Sequence, residues 1–259
     1  MHILVFTKRV PATQEEEIKI VDEGERVDLS KVPFKVNDWD NYAVEEAVRI
    51  VEKAGGSVTA VSIGDAESDE VLRRAIAMGA KDAFLIKTAD LQQDPHVRAA
   101  LACNVIRKEG LPFDLIFTGV QAEDDQFASV GGILAARLGL PFVSMVIGID
   151  AFEDGCVIAR RELEGGLQER IRAALPCVLS IQSGINEPRY VSIMGIRKAA
   201  KLERKVLNAP DYLGGVVKKI GVEKWIYPPM KRGATILAGD MDGVCKQLLE
   251  ILKEKGVCQ

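Results

Sequence analysis

The sequence predicts an α/β fold on a mainly parallel sheet, and three observations carry that prediction. Apolar runs at residues 2–7, 57–63, 81–86 and 115–118 are too continuous for half-solvated strands and read as strands covered on both faces. Between them, at 42–51, 70–78 and 96–109, apolar residues recur at helical spacing. Strands alternating with helices of this length are βαβ units, whose right-handed crossovers build a parallel sheet. The third observation is a strand–loop–helix passage at 119–132, GVQAEDDQFASVGG, where small and acidic residues lead into an amphipathic helix beginning at 133.

In chain order, the first strand ends at Lys8-Arg9-Val10-Pro11, because Pro11 has no N–H with which to continue a ladder. Residues 15–33 alternate weakly around a turn at Asp22-Glu23-Gly24, which predicts a small hairpin. Asp38 or Asp40 can cap the helix over 42–51, and Gly55-Gly56 ends it. Gly64-Asp65 closes the second main strand, and Gly79 stops the helix over 70–78. After Pro141 the pattern changes to antiparallel strands at 142–149, 156–163 and 167–174, joined by turns at Asp154-Gly155 and Gly165-Gly166. One more apolar strand, 176–181, follows. From 208 the chain is broken by Pro210, Gly214-Gly215 and Pro228-Pro229, and it ends in a helix over 241–255. Such an extension is an arm lying on another surface or a cover for its own domain. The expected organisation is a domain over 1–205 and an arm over 206–259.

Composition excludes several classes. A chain of 259 residues, 47% hydrophobic and 28% charged, is a soluble globular protein of one large or two small domains. A net charge of −4 offers no basic field for nucleic acid. No apolar run approaches the roughly 18 residues that a membrane span needs, and the N-terminal run is too short for a secretory signal. The five cysteines, at 103, 156, 177, 245 and 258, are odd in number and lack CxxC spacing, which fits a reducing cytoplasm. His2 and His96 are too few for a histidine-centred metal site or for histidine acid–base chemistry, so no metal is expected; with no nucleophile–base pair and no carboxylate pair placed to be perturbed, no catalytic residue is expected either.

Parallel sheets bind ligands beyond the carboxyl ends of their strands. The loops there are 6–13, 63–66 and 119–131, with 37–40 within reach, so four segments converge on one crevice. In the 119–132 passage the first amides of the following helix lack intrahelical partners, and the helix dipole favours an anion. Ala128, Ser129, Gly131 and Gly132 keep that helix start low, and Gln121, Asp124 and Asp125 are placed to bond a ribose or base. Neither GxGxxG nor a P-loop is present, and an ordinary loop with solvated acids stays open. Residues 182–205 carry six basic side chains against Glu187 and Glu203, with Ile185, Tyr190, Ile193, Met194 and Ile196 among them. That mixture is a docking surface or a solvated helix with one tucked apolar side.

Six blocks taken together resemble the β subunit of electron transfer flavoprotein: VFTKRVP (5–11), NDWDNYAVEEAVRI (37–50), LRRAIAMGAKDA (72–83), GVQAEDD (119–125), RELEGGLQE (161–169) and NEPRY (186–190). The resemblance covers about the first 200 residues. It implies an adenine-nucleotide-binding α/β fold with an added antiparallel hairpin region and a C-terminal arm packing on a partner. That partner is a larger α subunit, which holds most of an FAD, while this chain holds an AMP with no redox role. The implied AMP contacts are Phe6, Asn37, Asp38, Trp39, Asp40 and Ile63, with Gln121, Asp124, Asp125, Phe127, Ala128, Ser129, Val130 and Gly131 from the loop. Lys8, Arg9 and Thr13 lie near the sheet's ligand edge and face the shared FAD or the surface. The NEPRY segment, from Gly184 to about Lys205, matches a recognition loop that docks on acyl-CoA dehydrogenase-type flavoenzymes. Ile185 stands at the apolar anchor of that loop, beside Asn186, Glu187, Pro188, Arg189 and Tyr190.

Two departures qualify the match. Ordinary members carry Asn-Gln-Thr where this chain has Ala128-Ser129-Val130. Electron-bifurcating members hold a second FAD in place of AMP, bind NADH, and carry Val-Pro-Asp-Thr and an Ala-x-Val-Gly loop. Here Val10-Pro11-Ala12-Thr13 and Ala128-Ser129-Val130-Gly131 mix the two patterns. Ala12 and the intact NEPRY favour an AMP-binding electron carrier that passes electrons to a downstream acceptor. The bifurcating subunit is the alternative.

Overall fold

The chain opens on an inner strand of the sheet, β1 (His2–Thr7), in a computed structural model that describes residues 1–14, 16–89, 94–229 and 233–258. After it come β2 (Arg9–Pro11), the hairpin of β3 (Lys19–Val21) and β4 (Arg26–Asp28), and β5 (Phe34–Val36), which pairs back on β2. Helix α1 (Asp38–Ala54) then leads to β6 (Ser57–Gly64), α2 (Asp69–Met78) to β7 (Asp82–Lys87), and α3 (Pro95–Glu109) to β8 (Leu115–Gly119). Next are α4 (Val130–Leu138), β9 (Phe142–Glu153), β10 (Cys156–Glu162), β11 (Gln168–Ala174) and β12 (Cys177–Ile181). The chain closes with α5 (Ile193–Ala199), β13 (Lys205–Asn208), α6 (Pro210–Leu213) and α7 (Met241–Glu254).

The nine-stranded sheet has the order β11-β10-β9-β12-β8-β1-β6-β7-β13. Alternation along its central strands sorts the core into two layers. Ile3, Val5, Leu115, Phe117 and Leu179 meet α1 and α2 on one face, whereas Leu4, Ile116 and Val178 meet α3 and α4 on the other. Burial on both faces is why these strands read as continuous apolar runs. From β1 the chain winds outward through β6 and β7, then returns to lay β8 on β1's opposite side. The connections on either side of β1 therefore diverge there, opening a crevice at the carboxyl ends of β1 and β8.

The strand expected at 142–149 does more than begin an antiparallel region. It runs to Glu153, pairs parallel with β12 on one edge and antiparallel with β10 on the other, and so joins both hairpins to one sheet. The Asp154-Gly155 turn has positive φ at both residues (47° and 70°), the backbone that a tight two-residue hairpin needs. The boundary expected at 205 falls where β13 begins. That strand pairs with β7, and α6 follows it, so the first compact unit continues to Trp225 and the second spans Ile226–Gln259. In the second unit α7 carries exposed Leu248 and Leu249.

Within the first unit, buried Asp94 caps α3. Its Oδ1 accepts from His96 N at 2.6 Å, and its Oδ2 accepts from Ile220 N at 2.7 Å and from Lys219 N. Burial opposes ionisation, but the three backbone donors outweigh it and hold the carboxyl below its ordinary 3.8. An acid depressed in the folded state contributes stability that is complete above the unfolded value and lost as pH falls through the folded one. Asp94→Ala is therefore expected to cost about 2 kcal/mol of unfolding free energy near neutral pH, with a deficit that shrinks in acid. Urea titration of the two proteins across that range is the measurement.

Candidate functional site

A cleft opens where β1 and β8 diverge. At the ends of the two strands the Lys8 and Gly119 amides leave the ladder in half-buried positions. The Asp40 carboxylate takes both, with Lys8 N on Oδ2 at 2.8 Å and Gly119 N on Oδ1 at 3.0 Å. A Cβ on residue 119 would stand 2.4 Å from Asp40 Oδ1, so only glycine fits there. The sequence offered Asp38 or Asp40 as caps for α1, but the helix begins at Asp38, with Asn37 at its N-cap and no side-chain cap bond. Asp40 turns inward to the strand ends instead. Asn37 clamps the loop after β8, donating to Gln121 O at 2.8 Å and accepting from Glu123 N at 3.1 Å. Glu123 serves the helix start from across the cleft, accepting Asp38 N at 3.0 Å and pairing with Lys35 at 3.0 Å.

Lys8 Nζ bridges Asp124 and Asp125 at 2.6 and 2.7 Å. The acids of the 119–132 passage are thus largely spent on protein partners, which weakens their expected role as ligand groups. Gln126 and Ala128 adopt left-handed backbone (φ 51° and 50°), which a residue with a Cβ holds only when its surroundings fix it. Here the bridge to Lys8 and the Asp125 Oδ1 bond from Phe127 N at 3.1 Å do so.

Of the residues expected at the site, Phe6, Lys8, Asn37, Asp40, Ile63, Gln121, Asp125, Phe127, Ala128, Ser129, Val130 and Gly131 line the cleft. The structure does not bring Thr13, Asp38, Trp39 or Asp124 to its wall. Thr13 and Asp38 are exposed, Asp124 holds Lys8, and the Trp39 indole donates to Gln182 Oε1 at 2.7 Å. Sequence reading missed Thr7, Arg98 and Thr118. The Thr7 and Thr118 hydroxyls are buried and have no hydrogen-bond partner among the described residues. Gly131, at the start of α4, leaves no room for a Cβ beside Thr118 Oγ1, which would lie 2.7 Å away. A threonine that ends a strand carries no pattern of its own, although its place at the carboxyl end was the available signal.

The docking residues divide. Asn186 Nδ2 donates to Tyr42 O and Glu46 Oε2. Arg189 forks onto Glu45 and Glu52, each at 2.8 Å, and this pairing lowers the Glu52 carboxyl and keeps the guanidinium charged. Glu187 is exposed and Pro188 half-buried. Ile185, expected among the exposed groups, is half-buried against the core face of α1; Ile196 is half-buried too. The apolar groups that project are Tyr190, Met194 and Ile193, at 89%, 79% and 69% exposure.

A family model described as the electron transfer flavoprotein domain matches residues 26–212. The chain belongs to the electron transfer flavoprotein β-subunit family. It is 33% identical over 264 residues to the electron transfer flavoprotein subunit beta of Methylophilus methylotrophus, covering 98% of each chain. To the subunit of that name from Thermoanaerobacterium thermosaccharolyticum it is 35% identical over 265 residues, covering 99% of this chain and 100% of the relative. It is also 33% identical over 267 residues to the caffeyl-CoA reductase-Etf complex subunit CarD of Acetobacterium woodii, covering 99% and 100%. As a member of the electron transfer flavoprotein family it is an electron-carrier subunit that pairs with an α subunit in flavin-dependent transfer. Among the described residues no helix is long and apolar enough to cross a membrane, and no group of acids, histidines and cysteines is placed to hold a metal.

Burial raises the Asp40 carboxyl to about 7, against the lowering effect of bonds from Lys8, Asn37 and Gly119. An acid raised in the folded state makes the folded protein bind the extra proton. The cost of its buried charge is full above about 7 and is relieved as pH falls towards 3.8. Stability is expected to rise between about pH 8 and about pH 5, and Asp40→Asn is expected to flatten that slope. Urea midpoints of both proteins check it; an equal slope in the variant would assign the titration to another group.

Proposed function

We propose that this chain is the β subunit of a heterodimeric electron transfer flavoprotein. In this reading it binds AMP in the β1–β8 cleft, helps an α subunit hold FAD, and carries electrons from an acyl-CoA dehydrogenase-type flavoenzyme to a downstream acceptor. The supporting observation is the wall of the cleft, which includes two threonines, Thr7 and Thr118, whose buried hydroxyls have no hydrogen-bond partner among the described residues. Phosphate oxygens accept hydrogen bonds, and the floor presents donors: the Thr118 hydroxyl, Ser129 and the first amides of α4. Ala128 and Val130 contribute backbone only, so the loop holds its ligand with less side-chain support than an Asn-Gln-Thr run gives. When bound, the flavin supplies the redox chemistry, and this chain's residues bind and orient.

Tyr190, Ile193 and Met194, flanked by Arg197 and Lys198, suit an acidic surface with an apolar socket. Ile193 replaces Ile185 as the anchor, because Ile185 is already packed in its own subunit. The second unit, with its exposed Leu248 and Leu249, packs on the α subunit in this reading.

A second reading rests on the relative named as a subunit of a caffeyl-CoA reductase complex. In it the cleft holds a second FAD, NADH binds against that flavin, and the partner is a CoA-substrate reductase. Denaturing the co-expressed heterodimer and quantifying released nucleotide separates the two readings. One FAD and one AMP per heterodimer support the carrier, two FAD without AMP support bifurcation, and no adenine nucleotide beyond the shared FAD overturns the cleft assignment. Ile193→Ala is expected to slow electron exchange with the dehydrogenase about tenfold at unchanged FAD content. Ile185→Ala is expected to act mainly on stability, at about 2 kcal/mol. Stopped-flow transfer and urea titration of both variants check the pair, and equal transfer defects would return the anchor to Ile185.

A further inference from the structure

We infer that Lys8 is a positioning residue for the ligand of the β1–β8 cleft: it clasps Asp124 and Asp125 and so holds the 124–129 segment that forms one wall. The inference rests on the nucleotide reading of that cleft. Lys8 stands in the single-residue gap between β1 and β2. Its main chain is tied on both sides to the start of α1, with its N–H on Asp40 Oδ2 at 2.8 Å and its carbonyl accepting from Asn37 N at 2.9 Å. The ammonium is therefore carried on a fixed post. It reaches Asp124 Oδ1 at 2.6 Å and Asp125 Oδ2 at 2.7 Å, 116 and 117 residues further along the chain.

The loop between β8 and α4 has two halves with different supports. Asn37 holds the first half, through Gln121 O and Glu123 N. The second half brings Phe127, Ala128 and Ser129 to the cleft wall and leads into the first amides of α4. Gln126 and Ala128 keep left-handed backbone there, at φ 51° and 50°, which costs free energy in a residue with a Cβ. Ser129, at the N-cap of α4, makes no side-chain cap bond that would fix the helix start. Lys8 takes hold on the two acids that lead into this stretch. Without the clasp the segment is free to leave its left-handed backbone, and a ligand then bears the cost of reordering it. Asp125 lines the cleft and Asp124 does not, although both meet the same ammonium. An effect of Asp124 on binding therefore passes through the clasp rather than through contact with the ligand.

The test uses the heterodimer stripped of its cleft nucleotide, with FAD retained, titrated with AMP and with adenosine. Lys8→Met is expected to weaken both by about tenfold, because each needs the ordered wall and only one carries a phosphate. Lys8→Arg keeps a cation able to bridge two carboxylates, and is expected to stay within about threefold of the unmodified protein. Asp124→Asn is expected to weaken both ligands about threefold, and to have no further effect once Lys8→Met is present. A loss confined to AMP assigns Lys8 to the phosphate and overturns the inference. Tighter AMP binding in Asp124→Asn also overturns it, since Asp124 would then compete with the ligand for the ammonium. An undiminished Asp124→Asn effect in the Lys8→Met background does the same. If the unmodified heterodimer binds neither ligand, the nucleotide reading itself fails. Unaffected Lys8 variants of a heterodimer that does bind them leave that reading standing and overturn this one.

Discussion

The cleft depends on one buried carboxylate. Two neighbouring parallel strands end side by side and their chains part, so the half-buried amides at those ends, Lys8 and Gly119, would be left without acceptors. Asp40 accepts both, and the geometry leaves no room for a side chain at residue 119. An unmet buried amide costs about as much as a lost hydrogen bond, so the pair Asp40–Gly119 holds the strand ends apart at little expense. The same contacts place Thr7 and Thr118 on the floor of the gap. Helix α1 begins beside the strand ends because its first turn carries the group that satisfies them.

Around that floor, charge is used mostly to build the loop. Glu123 is shared between the start of α1 and Lys35, while Asp124 and Asp125 hold Lys8. These pairs are partly exposed, and each contributes modestly, yet together they hold Gln126 and Ala128 in left-handed backbone. What remains for a ligand is donors: hydroxyls and helix-start amides. Donors above a carboxylate already satisfied by protein amides suit a ligand rich in acceptors, in keeping with the nucleotide proposed for the cleft.

Helix α1 also organises the second surface. Glu45, buried on its core side, takes the Arg189 fork along with Glu52, and Glu46 takes Asn186. The segment leading into α5 is thereby fixed to the helix that holds the cleft. A surface segment ordered in advance loses less conformational entropy on binding, which supports the docking role proposed for it.

The sheet, its main strands and the convergence of four loops were legible in the sequence, because strands buried on both faces and helices of period 3.6 leave patterns that local chemistry sets. The wall positions Phe6, Ile63 and Ser129 followed from those patterns and from the family resemblance. The inward turn of Asp40, the spending of Asp124 on Lys8, the half-burial of Ile185 and the place of Arg98 in the cleft wall did not. Each of these depends on which distant segment a side chain meets, and the sequence records no such meeting: a carboxylate at a helix start looks the same whether it caps its own helix or clasps two strand ends. β13 escaped for a related reason, since four residues carry too little period and become a strand only when β7 offers its edge. The order of apolar residues determined what this chain can bury. Only packing decided which polar groups that burial left facing a ligand.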